Sequence, residues 1–191
     1  MKKIYFATVF TVLMSLGAIA QTVVRTTTTT PQTTYRALPN GHNGLNVGAS
    51  FMLPIDVLND YSSAGLALDI NYLYPVAPMF NMGIASGYSV VYNDYDGGRI
   101  ESWRTDDVQF IPVSVATRYI PTEQVEFGAD LGYAISLTDS DLFDGGFYYR
   151  PVIAFNVTDM VQLNLSYTGV STNRSWVTWS TLNFGVMFNL N

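Results

Sequence analysis

Apolar side chains recur at every second position from Leu45 to Leu190, broken at intervals by clusters of turn-forming residues. Leu45, Val47, Ala49, Phe51 and Leu53 alternate with Asn46, Gly48, Ser50 and Met52. Leu66, Leu68, Ile70, Tyr72 and Tyr74 alternate with Ala67, Asp69, Asn71 and Leu73. The longest run sets Val125, Phe127, Ala129, Leu131, Tyr133, Ile135 and Leu137 against Glu126, Gly128, Asp130, Gly132, Ala134 and Ser136. Segments around Ile84, Val115, Ile153, Leu165 and Val186 repeat the pattern. A period of two places the two sets on opposite faces of a strand. The chain is therefore predicted to form about eight strands, each close to the ~9–11 residues that a tilted transmembrane strand requires.

Alternation says only that the two faces differ; the chemistry of the minor face says what they meet. It carries Gly, Ala, Ser and Asn, with few of the long Lys or Glu side chains that solvate a soluble sheet. Small polar residues suit the cramped interior of an eight-stranded barrel, while the large apolar set suits lipid. A closed barrel also pairs every backbone polar group that hydrocarbon cannot hydrate. The predicted fold is all-β, an eight-stranded antiparallel up-and-down transmembrane β-barrel. The connections agree, alternating long (residues 54–63, 93–107, 138–146 and 171–175) with short (75–79, 120–124 and 158–160), as in barrels with long outer loops and short inner turns. Inward parity is shared by Arg118 and Glu126 across one short turn and by Asn156 and Gln162 across the next. A one-residue slip would move those charges into lipid. Aromatic girdles are expected from Tyr72, Tyr74, Phe80, Tyr119 and Phe188 at the short-turn end, and from Tyr88, Tyr92, Phe147, Tyr149 and Trp176 at the long-loop end.

The N-terminus has the marks of a secretory signal. Lys2 and Lys3 precede the apolar stretch Ile4 to Leu16, and Ala18 and Ala20 stand at −3 and −1 of a cleavage site before Gln21. Residues 1–20 are thus a signal peptide. Residues 21–43 read as a flexible, Thr-rich periplasmic lead-in, with Thr26 to Thr30, Pro31 and no apolar period. The barrel domain covers residues 44–191. Its last strand, Leu182-Asn183-Phe184-Gly185-Val186-Met187-Phe188-Asn189-Leu190-Asn191, alternates apolar and polar to the end. With the signal peptide and strand count, it makes the chain resemble the outer-membrane β-barrel superfamily of OmpA/OmpX-like size. That resemblance implies bacterial outer-membrane localisation with a periplasmic N-terminus. It also implies contact with the lipid bilayer and lipopolysaccharide, and recognition of the C-terminal strand by the barrel-insertion machinery. Asn191 stands where such families commonly end in Phe.

Charge then narrows the function. Without residues 1–20 the chain holds seven arginines against fifteen Asp and Glu, a net −8. No basic stripe is present to bind nucleic acid. Ten of the acids (Asp56, Asp60, Asp94, Asp96, Glu101, Asp106, Asp107, Asp139, Asp141 and Asp144) fall in the long connections with only Arg99, Arg104 and Arg174. Residues 139–146 resemble a calcium loop only loosely: the third acid is one place late and no bidentate Glu follows. Asp69, Arg118, Glu126, Asp130 and Arg150 have inward parity and are expected to pair as a structural charge network filling the lumen. There is no cysteine, and His42 is the one histidine, placed in the lead-in where a solvated turn is expected. Barrel acyltransferases and deacylases of this size rely on a His with Ser and an acid at the outer rim, so no enzyme, cofactor or metal site is expected. The reading is a non-catalytic structural or surface-interaction barrel, its surface partner unidentified. The alternative is a small channel or transporter for hydrophobic or small polar solutes. N-terminal sequencing of the protein from outer membranes is expected to begin at Gln21, with an Ala20→Leu variant accumulating as the longer precursor.

Overall fold

A computed structural model describes residues 42–55, 62–93, 107–138, 143–172 and 178–190. The candidate signal peptide, most of the lead-in, Trp176 and the loop acids other than Asp107 and Asp144 lie outside them. Eight strands are described: β1 (Gly44–Ile55), β2 (Ser62–Ala77), β3 (Phe80–Asn93), β4 (Val108–Tyr119), β5 (Val125–Ser136), β6 (Gly146–Asn156), β7 (Val161–Thr172) and β8 (Thr178–Asn189). Each pairs antiparallel with its sequence neighbours, and β1 pairs with β8 from Asn46↔Asn189 to Ile55↔Ser180. The sheet is a closed barrel, as its period-two pattern predicts. The long and short connections sit at opposite ends, and β1 begins and β8 ends at the short-turn end.

The outer face is a continuous apolar belt. Leu68, Ile84, Val113, Leu131, Ile153, Leu165 and Phe184 are all exposed at mid-strand. An apolar surface of this extent is stable only against another apolar phase, and a closed barrel offers it to lipid. Tyr72, Tyr74 and Tyr119 are exposed toward the short-turn end, and Tyr88, Tyr92 and Phe147 toward the other. Tyr149 lies over Gly169 on the adjacent strand, where a Cβ would run into its ring. It also packs on Phe147 and Tyr167 at centroid distances of 6.2 and 5.9 Å. The glycine thereby leaves no gap in the outer wall.

The strands run further than the sequence suggests because they absorb prolines. The pattern places Pro54 and Pro75 in connections, yet both lie inside strands. A proline removes one ladder donor and is tolerated only where a ladder is already broken. Pairing of β1 with β2 ends at Met52↔Gly65, before Pro54. The β2–β3 register shifts between Pro75 and Ala77, and the turn shrinks to Pro78-Met79, with Met79 at φ 62°. Pro112 falls where β3–β4 pairing lapses between Val113 and Phe110, and Pro151 where β6–β7 pairing lapses between Tyr149 and Val152. Each proline coincides with an interruption on one side of its strand. Such interruptions bend a strand and help a sheet curl to closure.

Leu131 is 53% exposed at the centre of β5, so Leu131→Arg is expected to destabilise the barrel by about 2–4 kcal/mol. Leu131→Phe is expected to be near neutral; urea unfolding in lipid vesicles measures both.

Candidate functional site

The lumen is the one interior, and it divides into three layers along the axis. Toward the long connections, Met52, Val91, Val108, Phe110, Tyr148 and Val170 form one buried apolar cluster, with the buried hydroxyls of Ser89, Thr172 and Ser180 at the same end. Its centre is filled from outside the strands. Phe143, in the β5–β6 connection, is 1% exposed and meets Phe110 at 5.6 Å and Trp179 edge-on at 5.1 Å. Ser136 Oγ donates to the Phe143 carbonyl at 3.0 Å, and the chain turns at Gly145 (φ 82°) to enter β6. The pattern of inward small residues gave no sign of this cap, because Phe143 belongs to a connection.

The middle layer is ionic. Arg150 on β6 reaches across the barrel to Asp69 on β2, four strands away, with Nη1–Oδ1 at 2.6 Å and Nη2–Oδ2 at 3.4 Å. Ser50 Oγ donates to Asp69 Oδ2 at 2.6 Å, and Arg150 Nε donates to Ser166 Oγ at 2.9 Å. Arg118 pairs with Asp130 on the adjacent strand at 2.6 Å, and its Nη1 also donates to the Thr117 carbonyl at 2.8 Å. Gly128 makes room for it, because a Cβ there would fall on the Arg118 side chain. All four charged residues are buried. Their desolvation is offset by bidentate or doubled hydrogen bonding as well as by mutual attraction. The space left among them is about 20 Å³, enough for a single water.

The third layer, at the short-turn end, is built from amides. Asn46 Nδ2 donates to Asn71 Oδ1 at 2.9 Å, and Asn189 Nδ2 to Asn46 Oδ1 at 2.9 Å. Glu126, 1% exposed, belongs here and not to the ion pairs. Gln162 Nε2 donates to its Oε2 at 2.8 Å, and the backbone N–H of His42 approaches the same oxygen at 3.5 Å. The five inward charges therefore form two arginine–aspartate pairs and one separate carboxylate.

His42 corrects the expectation of a solvated turn residue. It is 4% exposed, its Nε2 lies 3.3 Å from the Thr158 carbonyl, and its own carbonyl accepts from Asn46 Nδ2 at 2.9 Å. The residues just before β1 thus fold into the mouth of the barrel. A sequence that reads as turn-rich there hides this, because the partners Glu126 and Thr158 come from two distant segments.

No family model matches the sequence, and no curated protein matches it. Solved structures do match its fold. The chain is similar to the outer-membrane protein Ail of Yersinia pestis in bilayer nanodiscs, with TM-score 0.51, 14% identity, and 76% of this chain and 98% of Ail covered. It is similar to the de novo designed barrel TMB2.3, with TM-score 0.50, 14% identity, and 78% and 95% covered. Neisserial surface protein A is matched at TM-score 0.43 and 14% identity, over 76% and 96%. The fold is that of eight-stranded transmembrane β-barrels.

Arg150→Met alone leaves Asp69 buried without its partner, so it is expected to cost about 3–5 kcal/mol. The double variant Asp69→Leu/Arg150→Met is expected to recover most of that loss. Urea unfolding of both in vesicles checks the pair.

Proposed function

We propose that the protein is a bacterial outer-membrane barrel that acts through its outer surface, with its termini in the periplasm and its long connections outside. One observation carries the reading: the lumen is filled. A cap centred on Phe143, an ion pair reaching across the barrel and an amide layer follow one another along the axis, with about 20 Å³ open among the charges. An interior so packed supports a structural and surface-interaction role over conduction. The ten connection acids supply the surface chemistry, meeting lipopolysaccharide or a neighbouring protein, and the alternating β8 is what the insertion machinery reads. The role is non-catalytic: the sole histidine is tied to Thr158 at the short-turn end, away from the long connections that would carry an outer-rim site.

A second reading, uptake of small hydrophobic solutes, is favoured by the apolar cluster around Phe143, which is the part of the lumen suited to such a ligand. Planar bilayers containing the purified chain are expected to show no unitary conductance steps, and discrete steps would overturn the sealed-lumen reading. Photo-crosslinkers at Asn59 and Tyr95 in whole cells are expected to capture lipopolysaccharide or a surface protein. Clean crosslinking blanks together with solute-dependent changes in Trp fluorescence would favour uptake.

A further inference from the structure

The pairing of β1 with β8 differs from the others in the barrel, because these are the first and last strands and no connection joins them. Every other pair is linked by a loop of its own, which keeps the partners close and limits the entropy lost when they meet. At the seam, Asn46 and Asn189 meet across 143 residues of chain. The seam is therefore the pairing that gains least from connectivity and depends most on other contacts.

The lumen supplies them. At the short-turn end Asn189 of β8 donates directly to Asn46 of β1, which donates in turn to Asn71 of β2, both at 2.9 Å. In the middle layer a second chain of bonds leads away from the seam on one side and returns to it on the other. From β1, Ser50 donates to Asp69 on β2 at 2.6 Å, and Asp69 accepts from Arg150 on β6 at 2.6 Å. Arg150 Nε donates to Ser166 on β7 at 2.9 Å, and Asn183 on β8 donates to Ser166 at 3.3 Å and to Thr168 at 2.8 Å. Gly185 of β8, the partner of Ser50 across the seam, presents no Cβ, which would crowd Ser50 Oγ and Asn164. The strands on either side of the seam are thus tied to each other through Asp69 and Arg150. The second ion pair, Arg118 with Asp130, bonds β4 to β5, which a short turn already joins.

We infer that this network is a clasp on the seam: Asp69 and Arg150, with Ser50, Ser166 and Asn183, hold β1 against β8 and keep the barrel from parting sideways into the bilayer. An ion pair between neighbouring strands reinforces a contact that the turn has already made. One across the diameter constrains strands that the chain leaves independent. Parting the seam widens the ring and draws Arg150 away from Asp69, which leaves two buried charges without partners. It also offers two strand edges to hydrocarbon. The two costs fall together, so the seam opens only when both are met. A side exit from the lumen to the membrane is thereby closed at this seam, whatever the long connections bind.

Amide hydrogen exchange of the mature chain in bilayer nanodiscs tests the clasp. Asp69→Leu/Arg150→Met removes the cross-barrel pair without leaving a lone charge, and Arg118→Met/Asp130→Leu does the same for the adjacent-strand pair. The first is expected to speed exchange of the amides that pair β1 with β8 about tenfold, with those pairing β3 with β4 unchanged. The second is expected to leave the seam at its wild-type rate. Unchanged seam exchange in a folded Asp69→Leu/Arg150→Met barrel overturns the clasp. So does equal acceleration in all strands, or a seam that both double variants loosen alike. Ser50→Ala keeps both charges paired and cuts only the link from β1, so it decides the matter if the charge variant does not fold. Faster seam exchange in Ser50→Ala supports the clasp, and wild-type exchange overturns it.

Discussion

Everything in this molecule depends on the pairing of β1 with β8. In hydrocarbon no water is present to satisfy a free N–H or C=O, so an open sheet edge would forfeit several kcal/mol for each such group. Closure removes both edges at once. It also fixes the size of the interior: eight strands enclose a lumen about as wide as the side chains that fill it. The apolar belt outside and the crowding inside are two consequences of the same closure.

A lumen of fixed width must be packed by residues of complementary size. Arg118 can lie inward because Gly128 on the next strand presents no Cβ. Arg150 spans the full width because Ser166 accepts from its Nε near its own strand, and Asp69, itself held by Ser50, accepts from its far end. The same economy governs the ladder. Four prolines enter strands where their missing N–H is not called on by one neighbour, since each falls at the end, shift or lapse of a neighbouring pairing. Those interruptions supply local bending that a regular ladder resists.

The two ends of the lumen are closed by residues that are not in its wall. Phe143 enters from a long connection and completes an apolar cap; His42 enters from the lead-in and meets the amide layer. Between them the ion pairs hold the middle.

The sequence by itself determined the strand count, the face each strand residue occupies and the alternation of long and short connections. Period two is a local property, and a residue's parity is set within its own strand, as with Asp69, Glu126 and Arg150. What it left open are the relations between distant strands. Parity said that five charges face inward, but only closure decided that Arg150 meets Asp69 across the barrel while Glu126 meets Gln162 and His42. The prolines misled for the same reason: Pro54 and Pro75 read as breakers locally, and whether a missing donor matters depends on the strand beside them. Phe143 and His42 carry no periodic signal at all, so their burial belongs to the tertiary structure alone. A pattern along one strand is written by its two faces; a contact across the lumen is written by the barrel's circumference, which no single segment contains.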